Sequence, residues 1–74
     1  MLKPIKVLAW YKSDSSVEPD SILINNKRYK IKSYRLEHEG FLEDKTGFIY
    51  IVEIGSEKRK ILQTRDNHWY LLTK

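Results

Sequence analysis

The sequence predicts an all-β fold, a small, strongly bent antiparallel barrel of about five to six strands. Three observations predict it. Strand-forming residues recur in short runs, spaced about eight to twelve residues apart. Turn residues separate the runs. One long run, Arg28 to Glu37, changes its apolar phase part-way, as a bent strand does.

The first run is IKVLAWYK, Ile5 to Lys12. A polar segment, Ser13 to Asp20, reads as a loop, and its Pro19 cannot donate a ladder hydrogen bond. Ser21 to Asn25 is a second short run. Asn25-Asn26 reads as a tight hairpin turn, because asparagine tolerates positive φ. KRYKIKSYRLE follows as a long third run. Tyr29 and Ile31 share one face by the two-residue period, whereas Tyr34 and Leu36 fall on the other. The slip near Ser33 predicts a β-bulge, which bends a strand and turns a barrel corner.

HEGFLEDKTG, His38 to Gly47, reads as an acidic loop. A helix over Tyr34 to Lys45 is disfavoured by Gly40 and by poor apolar spacing. GFIYIVEI, Gly47 to Ile54, is the most apolar run and reads as a central strand. Gly55 to Lys58 is a turn, Arg59 to Thr64 the fifth strand and Arg65 to His68 another turn. Trp69 to Leu72 is the last strand and closes the sheet.

Residues 1–74 form a single domain on this reading, because the chain holds only enough apolar residues (41%) for one core. That size favours an SH3-like barrel over an oligonucleotide-binding barrel, which needs more residues and a helix. Cysteine is absent, which excludes disulfides and thiolate metal sites. No run is long and apolar enough for a membrane helix. The N-terminal apolar run is too short and interrupted for a signal peptide, which suggests a cytoplasmic protein.

Charge is distributed in blocks. Residues 1–36 carry eight Lys/Arg against three Asp/Glu, residues 37–57 one against six, and residues 58–74 five against one. Basic blocks attract polyanions, and the acidic block suits a protein partner.

The basic and aromatic residues of RYKIKSYRLE raise the main functional question. Binders of single-stranded nucleic acid combine a positive groove with exposed aromatics on which bases stack. Trp10, Lys12, Arg28, Lys30, Lys32, Tyr34 and Arg35 are the candidates for such a surface. Tyr11, Tyr29, Trp69 and Tyr70 are further stacking candidates, and Lys27 a further phosphate contact. The competing reading is an ordinary half-buried strand. In it Tyr29, Ile31, Tyr34 and Leu36 face the core while the lysines and arginines face water. The adjacent pairs Trp10-Tyr11 and Trp69-Tyr70 bear on the choice. Each pair must put one ring on each face of its strand, so some aromatics lie outside the core. An aromatic-lined groove of this kind also suits a proline-rich peptide.

Catalytic signals are weak. His38 and His68 lie far apart, and no phosphate-cradling or metal-protease motif occurs. Glu37, His38 and Glu39 form a cluster, but in an extended chain both glutamates point away from His38. Glu53, within the most apolar strand, reads as a cross-strand ion-pair partner of Arg59 or Lys60. The expectation is therefore no enzyme, no cofactor and no metal.

NKRYKI (Asn26 to Ile31), IYIVEI (Ile49 to Ile54) and WYLL (Trp69 to Leu72) together carry a resemblance spanning Pro19 to Leu72. The pattern resembles a family of short bacterial β-barrel-like domains of unknown function. Some of these are associated with translesion DNA polymerase-like proteins. HEGFLEDKTG stands where that family has a tryptophan-rich segment. The resemblance implies a DNA-associated context and no particular mechanism. The combined expectation is a non-enzymatic binding module that contacts nucleic acid through an aromatic-basic surface. The alternative is a protein-interaction module, an accessory domain or a homodimer.

Overall fold

A computed structural model describes residues 1–14 and 16–73. They form seven strands and no helix. The strands are β1 (Leu2–Tyr11), β2 (Val17–Ile24), β3 (Lys27–Lys30), β4 (Ser33–Leu42), β5 (Lys45–Ile54), β6 (Glu57–Thr64) and β7 (Trp69–Leu72). All neighbours are antiparallel, in the order β3-β2-β1-β7-β6-β5-β4.

Two segments bend this sheet into a half-barrel. The first is β1. It pairs with β7 through Leu2–Ile5, then with β2 through Lys6–Tyr11. The second is the run from β3 to β4. Ile31 N donates to Asp20 O on β2 at 2.9 Å, and the next amide, Lys32 N, donates to Glu53 O on β5 at 2.8 Å. Successive amides thus bond to β2 and β5, in opposite halves of the sheet. This corner accounts for the apolar phase slip in the sequence. The bulge expected at Ser33 is absent, and the β4–β5 register runs regularly from Ser33 to Leu36. The corner also divides the expected third strand in two, which raises the strand count to seven.

Bulges occur elsewhere. One residue, Asp20, is extra in β2, and Glu37 is extra in β4. The latter changes the expected geometry at His38. A bulge turns two successive side chains to one side, and His38 Nδ1 lies 3.3 Å from Glu37 Oε1.

The expected acidic loop at His38 to Gly47 is instead a hairpin. Only Glu43 and Asp44 form its turn, with Glu43 at φ 58°. Charged side chains on an edge strand project into water, so acidity does not oppose strand formation there. The expected loop at Ser13 to Asp20 is also shorter, since β2 begins at Val17. Ser15 of that loop lies outside the described residues. Asn25 and Asn26 do form the tight turn, at φ 52° and 67°.

The core lies on the concave face. Ile22, Ile31, Tyr50, Val52, Ile61, Trp69 and Leu71 are buried there, with Ile5, Val7 and Val17 packed against them. The Tyr50 and Trp69 rings stand 5.8 Å apart at 38°. Ile49 and Leu62 are buried on the convex face, where they are cross-strand partners. Tyr70 is opposite Leu62, and Lys45 Nζ sits 4.8 Å from the Tyr70 ring centre.

Gly47 is required by close strand approach. A Cβ at this position would collide with the Gln63 carbonyl group. Only glycine lets β5 and β6 come this near.

Candidate binding face

The sheet's two halves do not cover each other completely. The half made by β1, β2 and β3 covers Val52, Ile61 and Leu71 but leaves the outer margin of β4 and β5 open. Tyr34 and Leu36 are opposite Val52 and Tyr50 in register, so they share the concave face with the core. Yet Tyr34 is 39% exposed and Leu36 50%. The half-buried-strand reading, which put both in the core, is corrected for these two: they line an uncovered shelf. Phe48 and Phe41 extend the shelf along the hairpin, and Phe41 is 75% exposed.

Tyr11 flanks the shelf from β1. A hydrogen-bonded chain of side chains lies beside it. Tyr50 Oη donates to Gln63 Oε1 at 3.5 Å, Gln63 Nε2 donates to Asn67 Oδ1 at 3.0 Å, and Tyr11 Oη donates to the same oxygen at 2.8 Å. Asn67 reaches this position because it takes φ 67° in the Arg65–His68 turn. Thr64 braces that turn, its amide donating to His68 O at 2.9 Å. Burial pushes the Tyr50 phenol above its ordinary pKa, and the Tyr34 and Tyr11 phenols add to the shift. Tyr11, Phe48, Gln63 and Asn67, with Lys12 and Arg65 at the rim, line an open pocket of about 480 Å³.

The cations expected to contact phosphate are dispersed. Lys12 follows β1 and pairs with Glu18 at 2.8 Å. The Glu18 hydrogen bond and charge hold its ammonium above the usual range, with Tyr34 and Asp14 adding to the effect. Arg28 and Lys30 lie on the convex face of β3. Both reach Asp20, at 3.5 and 3.3 Å, and Arg28 Nε also donates to Ser21 Oγ. The Lys30 hydrogen bond, more than any other contact, keeps the Asp20 carboxyl below the usual aspartate range. Lys32 sits exposed at the corner. Arg35 is exposed on the convex face of β4, opposite Ile51. Among the described residues, neither Lys32 nor Arg35 has a carboxylate partner. Trp10 is 66% exposed and points away from the core, opposite Glu18.

The structure thus groups Trp10, Arg28 and Lys30 on one face and places Tyr34 at the concave mouth near Lys12. Sequence reasoning assigned no binding role to Leu36, Phe41, Phe48, Arg65 or Asn67. The signal available for Phe48 was its two-residue spacing from Tyr50. Nothing local marked Asn67 beyond its turn-forming type.

Expected ion pairs also differ. Glu53 accepts from Ser33 Oγ at 3.1 Å and is opposite Lys58. Arg59 and Lys60 pair instead with Glu57 and Glu37. Among the described residues, no three His, Asp or Glu side chains group as a metal site requires. Comparison with protein-family models, with curated proteins and with solved structures finds no match to this chain.

Proposed function

We propose that this chain is a non-enzymatic binding module, an SH3-like barrel open along one side, that takes single-stranded nucleic acid on its concave face. The observation that carries the reading is the shelf itself. Tyr11, Tyr34, Phe41 and Phe48 are all exposed, on or beside one uncovered sheet face. Aromatic rings so placed stack bases, at roughly 1–3 kcal/mol per base.

Phosphate contacts fall to the rim. Lys12 and Arg65 flank Phe48, and Lys32 stands at the corner leading into Tyr34. Lys12 and Arg65 are engaged with Glu18 and Glu39, at 2.8 and 3.4 Å. Exposed pairs of this kind contribute about 0–1 kcal/mol, so a phosphate exchanges for the carboxylate at little cost. The net charge of +4 favours approach of a polyanion. A DNA-associated context, implied by the family resemblance, agrees with this reading.

Fluorescence anisotropy of a labelled oligothymidylate tests it. Binding should saturate at low salt, and log K should fall with log salt by about 0.7 per phosphate neutralised. Lys12→Ala should lower that slope. Flat anisotropy at low salt would overturn the reading, as would wild-type affinity in a Tyr34→Ala, Phe48→Ala double variant that remains folded.

A further inference from the structure

We infer that the free edge of β1, Lys6–Tyr11, accepts an extended acidic segment of a partner protein as an added strand. The site adjoins the aromatic shelf, and Tyr11 and Asn67 border both. Its basis is the register of β1. Beyond Ile5 the strand leaves β7, and from Lys6 onward it pairs only with β2. Backbone groups on its other side therefore have no strand partner. Such a row of amides and carbonyls is a template for another chain.

Among the described residues the other free edges carry defences: Glu57–Lys60 of β6, which has no partner on its β7 side, is charged at every position. β3 is four residues long and carries Lys27, Arg28 and Lys30. β4 is interrupted by the Glu37 bulge and carries charge on both sides of it. Short edges, bulges and charges are the usual defences against strand addition. The stretch KVLAWY has no proline and no extra residue, and its single charge is Lys6. Leu8 and Trp10 stand on its convex side, 45% and 66% exposed, where side chains of an added strand would cover them.

Space and charge define the occupant. An open pocket of about 780 Å³ runs along this edge, between Lys6 and Leu8 on one side and His68 and Tyr70 on the other. Its ends are bounded by the Ile5–Trp69 pairing and by the Tyr11–Asn67 hydrogen bond. The intervening residues, Lys6 to Trp10, match about five residues of an extended chain at roughly 3.3 Å each. Lys6, His68 and three asparagines line the pocket, and no Asp or Glu does. An extended segment with an acidic side chain opposite Lys6 and, two and four residues along on the same face, apolar ones opposite Leu8 and Trp10 is complementary to it.

Amide hydrogen exchange on the full chain provides the test. The probe is a capped peptide of about five residues, Val-Thr-Val-Thr-Glu, which in an antiparallel added strand sets its Glu opposite Lys6 and its Val side chains opposite Leu8 and Trp10. Expected is slowed exchange at alternate amides within Lys6–Trp10, because a ladder engages every second residue. A peptide with proline at its centre should not slow them, since it lacks the donor. Lys6→Glu, checked for folding by its unfolding curve, should weaken the Glu-bearing peptide about tenfold, equivalent to about 1.4 kcal/mol. Unchanged exchange at these amides would overturn the proposal. So would equal protection by a peptide with Lys in place of that Glu, or by the proline peptide. Slowing by oligothymidylate alone would assign the edge to nucleic acid instead. Slowing that grows with protein concentration, with a larger species in sedimentation, would assign it to a second copy of this chain.

Discussion

The Tyr11 hydroxyl and the Asn67 side chain meet at 2.8 Å across 56 positions of sequence. This bond ties the free half of β1 to the β6–β7 turn. Asn67 also accepts from Gln63, which is 8% exposed. Tyr11→Phe removes one exposed bond and should cost about 0.5 kcal/mol. Asn67→Gly keeps the positive φ but leaves the Gln63 amide without its acceptor, costing about 1–3 kcal/mol. Asn67→Ala adds backbone strain and should be the least stable of the three. Urea midpoints at constant slope rank them. Equal midpoints for the glycine and alanine variants would remove φ from the account.

Gly47 and Gly55 should respond differently to the same substitution. An alanine Cβ at Gly47 meets the Gln63 backbone, which cannot move without breaking the β5–β6 ladder. The cost should exceed about 3 kcal/mol. At Gly55, φ is 60° but no atom lies within 4 Å of the added carbon. Alanine there should cost about 1 kcal/mol. Thermal unfolding of the two variants decides the order.

The corner makes Ile31 a core residue while Tyr34 and Leu36 are at the margin. Ile31 is 6% exposed. Ile31→Ala should cost about 2–5 kcal/mol, a large share of the stability of a domain this small. Tyr34→Ala should cost far less. The reverse order would place the phase slip at a bulge after all.

Phe41 separates binding from folding. Exposed to 75%, it contributes little to packing, so Phe41→Ala should leave stability within about 0.5 kcal/mol. It should nevertheless lower oligothymidylate affinity about tenfold, the loss of one stacked base. Trp10→Ala, on the opposite face, should leave that affinity unchanged. Anisotropy titrations of both variants measure the contrast.

Three aspartates make stability depend on acid. The Ser16 hydroxyl, Lys30 and the Thr64 hydroxyl hold the carboxyls of Asp14, Asp20 and Asp66 below their ordinary value. A carboxyl depressed in the folded state contributes stability above its unfolded pKa and loses it as pH falls through the folded one. Melting temperature should therefore hold from neutral pH down to about pH 4 and fall below it. Asp20→Asn should shallow that fall. Tyr50 acts at the other extreme. Its raised phenol favours folding while protonated, so stability should decline above about pH 10.

Local chemistry was sufficient for much of the fold. Short runs of strand-forming residues bounded by turn residues marked β1, β5, β6 and β7. Asn25-Asn26 announced its turn, since few residues accept two consecutive positive φ angles. The acidic hairpin was not legible, because an edge strand facing water tolerates the same residues as a loop. That some aromatics lie outside the core was also readable: nine rings exceed what one small core can hold.

Which rings would be left out depended on tertiary structure. The slip at Ile31–Lys32 is equally consistent in sequence with a bulge and with a strand changing partners. Only the hydrogen bonds to Asp20 and Glu53, residues in opposite halves of the sheet, distinguish the two. That corner determines how far one half of the sheet extends over the other. It buries Ile31 and leaves Tyr34, Leu36, Phe41 and Phe48 exposed. Exposure is a property of what packs above a residue, and that neighbour is set by long-range pairing rather than by the residue's own segment.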